Sequence, residues 1–121
     1  MTDDEKKNRI EELKNLFEDC SDIFVAIGDK TRQSLIFDII DAGKDGIDVA
    51  SLTQKCVLSR PAVSHHLKVM KDADILSARK VGTQVFYSIR LQYGVLEQIK
   101  KLVSGIENLI SNDESYNKDI E

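Results

Sequence analysis

Residues 59–71, Ser-Arg-Pro-Ala-Val-Ser-His-His-Leu-Lys-Val-Met-Lys, leave this chain few ways to fold. Ser59 can accept hydrogen bonds from first-turn amides, and Pro61, two residues on, sits where a helix needs no N–H donor. A helix is therefore predicted to start near Arg60. Val63, Leu67 and Met70 recur at steps of four and three, one apolar stripe for a core. The other face holds Arg60, Ser64, His65, Lys68 and Lys71, which are polar or cationic, and none is acidic. A helix buried on one side and offering hydroxyl, imidazole and cationic groups on the other suits the major groove of duplex DNA. The same face would also serve as plain solvated surface, so the flanking segments decide.

Upstream, Asp48 is expected to cap a short helix over 49–55 with Leu52 and Cys56 inward, and Val57-Leu58 makes a tight connection. Two short helices joined this way form a helix-turn-helix. Downstream, strand-like runs at 75–80 and 83–89 flank Val81-Gly82, a hairpin signal. The expected fold is mainly α with a small β-hairpin wing, a winged helix-turn-helix.

Charge follows the same division. The chain carries −4 overall, yet residues 51–90 hold seven cations against two acids, or +5, while 1–50 carry −6 and 91–121 carry −3. Positive charge gathered on one segment of an acidic protein is the footprint of a duplex-binding surface.

The two ends carry long apolar seams. Ile10, Leu13, Phe17, Cys20, Phe24 and Ile27 alternate steps of three and four after a polar start at 1–8, which is expected to fray. One helix is predicted over 9–27, stopped by Gly28. Asp29 then caps a helix burying Leu35, Ile36, Ile39 and Ile40, which Gly43 and Asp45-Gly46 end. Leu96, Ile99, Val103, Ile106 and Ile110 repeat the spacing within 91–110, and 111–121 is an acidic, loose tail. A small core over 29–90 cannot cover both seams. They are expected to bury each other across a two-fold axis in a homodimer, with pairing inside a monomer as the alternative.

At 121 residues the chain is one domain by size, and 41% hydrophobic with 31% charged residues is a globular composition. No apolar run approaches the roughly 18 residues needed to span a bilayer, and the N-terminus lacks the order of a secretion signal, so the expected location is the cytoplasm.

Four pieces in order, Phe24-Val-Ala-Ile-Gly-Asp-Lys-Thr-Arg32, Leu52 with Leu58-Ser59, Ser64-His65-His66-Leu67-Lys68, and Arg79-Lys80-Val81-Gly82 with Phe86-Tyr87, make residues 24–90 similar to the ArsR/SmtB-type bacterial repressors. The resemblance implies a homodimeric winged-helix transcriptional repressor whose grip on double-stranded DNA is loosened by an effector. Recognition helices of such a dimer enter grooves about 34 Å apart, so the operator should be an inverted repeat.

Arg60, Ser64 and His65 are the candidates for base edges or adjacent phosphates, and Lys68 and Lys71 for phosphate. His66, on the flank beside Leu67, is either a further DNA contact or a half-buried packing residue that hydrogen-bonds to the backbone. Arg79 and Lys80 would carry the wing's contacts. Relatives often place a basic residue after the wing glycine where this chain has Thr83, so the wing grip should be weaker.

No metal and no cofactor are expected. One family site needs Cys-x-Cys where this chain has Asp48-Val49-Ala50, and another needs aspartate and histidine on the last helix, which 91–110 lack. His65 and His66 are neighbours on one helix, about 100° apart, and cannot easily chelate together. Cys20 and Cys56 fall on apolar stripes and are expected to be small buried hydrophobes, with thiol sensing as the alternative. No phosphate-binding glycine loop, nucleophile elbow or carboxylate pair beside a histidine points to an enzyme. The rival reading is a winged helix that docks on a protein partner, which has no need of the +5 segment.

Overall fold

The computed structural model describes residues 1–90 and 94–117. They form two compact units, Met1–Ser21 with Leu96–Glu121, and Asp22–Val95.

In the terminal unit, α1 spans Asp3–Asp19 and so begins well before residue 9. Thr2 Oγ1 accepts the Glu5 amide at 3.2 Å, and Asp3, Asp4 and Glu5 sit at the positive end of the helix, so residues expected to fray are capped instead. The single helix expected over 9–27 is two. Cys20 leaves the helical region at φ −90° and ψ 2°, its amide is shared between the Leu16 and Phe17 carbonyls at 3.1 Å, and α2, Ser21–Ile27, starts afresh.

Helix α6 spans Val95–Ser111; residues 91–93 of the expected 91–110 helix lie outside the described residues, as do 118–121 of the expected tail. A Cβ on Gly105 would sit 2.5 Å from Leu13 Cδ2, so α1 and α6 are in close contact there. Beyond α6 the chain makes one more turn, α7, Glu114–Asn117, where a loose tail was expected. Asp113 organises it. Its Oδ1 accepts the Ser115 amide and hydroxyl at 2.9 and 2.7 Å, and its Oδ2 pairs with Lys6 Nζ at 2.6 Å.

These donors hold the Asp113 carboxyl well below the usual carboxylate range, the Lys6 ammonium foremost and Ser115 next, and the same pair raises Lys6. A depressed folded-state value means stabilisation that is complete above the unfolded carboxylate pKa, about 3.9, and fades as pH falls through the lower folded value. Hydrogen-exchange protection of α7 and the first turns of α1 is expected to drop between about pH 5 and the acid limit. Asp113→Asn should lower protection of α7 and flatten its pH dependence; a variant that keeps the wild-type pH profile would count against the pair.

In the second unit, Asp29 Oδ1 accepts the Arg32 amide at 3.0 Å and caps α3, Lys30–Asp41. That bond keeps the Asp29 carboxyl below its ordinary range. Leu35 and Ile39 are buried, Ile36 is half-buried, and Ile40 is 52% exposed, so the buried face is narrower than the four residues expected. Ile40 lies one step, about 100°, around the helix from Ile39.

Residues 47–48, not read as a strand, form β1 (Ile47–Asp48), which pairs antiparallel with β3 (Gln84–Ile89) through Ile47↔Tyr87 and Asp48↔Phe86. The sheet has three strands in the order β1-β3-β2, with β2 at Leu76–Val81. Its hairpin turns at Gly82-Thr83, one residue later than expected. Val81 pairs with Gln84, and Gly82 takes φ +62° at the first central position, the requirement of a type II′ turn.

Helix α4, Val49–Gln54, has Asp48 at its N-cap, but the carboxylate makes no capping bond. Helix α5, Arg60–Asp72, is capped by Ser59, whose Oγ accepts the Ala62 amide at 3.3 Å. Its C-terminus closes by a Schellman arrangement, Ile75 N–H to the Met70 carbonyl at 2.9 Å and Asp74 N–H to Lys71 at 3.0 Å, with Asp74 at φ +61°. Leu52, Val63, Leu67 and Met70 are wholly buried and form the core of the two short helices. Among the described residues, no helix is long and apolar enough to cross a membrane.

Candidate nucleic-acid interface

The buried stripe Val63, Leu67, Met70 fixes the rotation of α5, which leaves Arg60, Ser64, His65, Lys68 and Lys71 exposed. Lys68 Nζ lies 3.0 Å from Asp72 Oδ2, with both side chains well exposed. Such a pair contributes about 0–1 kcal/mol, so a phosphate can take the ammonium at little cost.

His66 is set apart. At 100° per residue it lies on the opposite flank from Ser64 and Lys68, and it is half-buried. Its Nδ1 is 3.2 Å from Arg32 Nη1. The packing alternative describes this environment, except that its partner is a guanidinium and not the backbone.

On the wing, Arg79 is engaged within the unit. Its Nη2 donates to the Asp45 carbonyl at 3.0 Å, and its guanidinium lies 5.5 Å from the ring centroid of Phe86, its cross-strand partner. Lys80, one residue nearer the tip, is exposed opposite Val85. A cleft of about 250 Å³ is lined by Asp48, Val49, Ala50, Arg60, Thr83, Gln84, Val85 and Tyr87. It brings the first residue of α5 together with the wing. Gln84 was not selected from sequence, because only the position of the hairpin turn puts it there.

The cysteines differ from expectation in part. Cys20 is fully buried, and burial raises its thiol pKa, aided by Asp19, so little thiolate is present at neutral pH. Cys56 is only half-buried, because it follows the end of α4 and lies on the turn; its thiol meets the Thr53 carbonyl at 3.6 Å. Among the described residues, no three His, Cys, Asp or Glu side chains converge as a metal site.

The chain is 31% identical over 93 residues, 77% of its length, to an HTH-type transcriptional regulator of Methanocaldococcus jannaschii, 97% of which is covered. Residues 48–78, which run from the cap of α4 through α5 into β2, match the pattern of the bacterial regulatory proteins of the arsR family. The chain belongs to the arsR family. It is a DNA-binding transcriptional regulator, and the family's members are regulators, not enzymes. The transcriptional repressor SdpR of Bacillus subtilis is 29% identical over 69 residues, 57% of this chain and 73% of SdpR. In fold, this arsR-family chain is similar to a crystallised ArsR family transcriptional regulator at TM-score 0.67 and 18% identity, covering 79% of this chain and 94% of the other.

Proposed function

We propose that this regulator is a cytoplasmic homodimeric repressor that grips an inverted-repeat operator through α5 and the wing and is released by an effector. The observation that carries this reading is the outer side of α5, free of acids from Arg60 to Lys71 and bordered by the wing at Arg60. Arg60, Ser64 and His65 read base edges or the nearest phosphates. Lys68 and Lys71 neutralise phosphates, and Lys80 extends the contact from the wing, where Arg79 also stiffens the strand pair. His66 serves the helix from its inner flank.

The dimer is supported by what the terminal unit leaves uncovered. Leu96, Val103 and Ile110, at steps of seven along α6, are 49%, 50% and 41% exposed, and Phe17 on α1 is 51% exposed. Such a stripe costs solubility in a monomer and suits a second copy.

Selection of bound duplexes from a random pool tests the reading. A palindromic consensus is expected; retention of no sequence, and none on heparin at low salt, would favour the protein-docking rival. Val103→Glu places a charge in the stripe and should convert a sedimenting dimer to monomer with loss of operator binding. A variant that stays dimeric would exclude this face.

A further inference from the structure

Arg32 belongs to the segment that opens the family resemblance, yet it lies on α3, outside the helix-turn-helix, and no DNA contact is assigned to it. Its guanidinium is committed in three directions. Nε donates to the Ala26 carbonyl at 2.6 Å, Nη2 to the Val25 carbonyl at 3.2 Å, and Nη1 lies 3.2 Å from His66 Nδ1. The first two acceptors are carbonyls in the last turn of α2, which have no partner within their own helix. Gln33 Nε2 completes the set by donating to Ile27 at 2.7 Å. The Arg32 backbone is fixed as well, since its amide caps α3 on Asp29.

Arginine has no acceptor, so the 3.2 Å contact is a hydrogen bond with His66 Nδ1 as its acceptor, an arrangement that assigns the ring proton to Nε2. No buried side-chain nitrogen or oxygen among the described residues lacks a partner, so His66 Nε2, for which none is found, is open to solvent. One guanidinium thus joins the end of α2, the start of α3 and the inner flank of α5.

We infer that Arg32, acting through His66, is a positioning residue for DNA recognition: it fixes the recognition helix against the α2–α3 corner without touching DNA. The core stripe sets which side of α5 faces outward, but apolar burial is non-directional and does not by itself select one exact placement. A hydrogen bond from a pinned guanidinium specifies one placement, and base-edge readout depends on placement more than phosphate attraction does.

This inference rests on the operator reading above, and its test keeps the two apart. Affinity for the selected operator and for random duplex is measured for the wild type, Arg32→Met, His66→Ala, His66→Asn and Lys68→Ala, at a temperature where each is folded. Asparagine retains an acceptor near the Nδ1 position. Arg32→Met and His66→Ala should each lose about tenfold for the operator, the size of a hydrogen bond to a charged group. Binding to random duplex and the salt slope should stay unchanged, and His66→Asn should recover most of the loss. Nitrogen-15 shifts of His66 should report the Nε2–H tautomer in the wild type and a mixture in Arg32→Met.

Equal losses on operator and random duplex, with a shallower salt slope, would make Arg32 a phosphate contact and overturn the inference. So would a lower melting temperature with no change in operator-to-random ratio, which is what a purely structural residue gives. If Lys68→Ala weakens binding while Arg32→Met does not, the operator reading stands and the positioning role fails. A wild type that prefers no sequence removes both.

Discussion

Raising monovalent salt from about 50 to about 200 mM is expected to weaken operator binding by roughly 10³- to 10⁵-fold, for about six to ten phosphates neutralised over the proposed dimer. The size follows from counterion release, and it is set by how many cations of α5 and the wing reach the backbone. Lys68 is the clearest candidate. It stands exposed on the outer side of α5, and the carboxylate beside it, Asp72, is also open to water and holds it weakly. Lys68→Ala removes one contact per protomer, so the plot of log affinity against log salt should flatten by about two units over the dimer. Filter binding or fluorescence anisotropy across the salt range measures it. An unaltered slope would mean that Lys68 faces solvent in the complex.

Gly46→Ala is expected to destabilise the protein by about 2 kcal/mol or more, a fall of roughly 8 °C in melting temperature. Gly46 takes φ +83°, where an L side chain is strained, and a Cβ there would lie 2.5 Å from the Tyr87 carbonyl oxygen. The obstacle is backbone of the central strand β3 and cannot swing aside. Gly43 is the internal control: its φ is +82°, but a Cβ would meet nothing within 4 Å. Gly43→Ala should therefore cost about 1–2 kcal/mol, the conformational part alone. Equal losses at both positions in thermal or urea unfolding would show that β1 does not depend on this close approach.

The features read correctly from sequence share a property: each is written in neighbouring residues. Ser59 before Arg60-Pro61, with Val63, Leu67 and Met70 behind, fixed the start and the buried side of α5, because capping and helical period are local. Asp29 capping α3 followed from the same chemistry. The errors arose where a local signal had two uses. Gly46 was read as a helix terminator, which its positive φ permits, but its second role lies across space against Tyr87. The heptad-like seam through Cys20 is continuous in spacing although the backbone breaks there, since side-chain periodicity does not register a shared amide hydrogen bond. Cys56 sat on a helical stripe that the helix did not extend far enough to include.

Sequence alone determined that this chain folds as a winged helix-turn-helix whose outer helix side is cationic and free of acids from Arg60 to Lys71, because hydrophobic period, caps and charge placement act over a few residues. Only the tertiary structure decided that a two-residue strand joins the wing, that Arg60 shares a cleft with the wing, and that His66 answers to Arg32. Those pairings join residues far apart along the chain, and packing the core, not any local propensity, brings them within hydrogen-bonding reach.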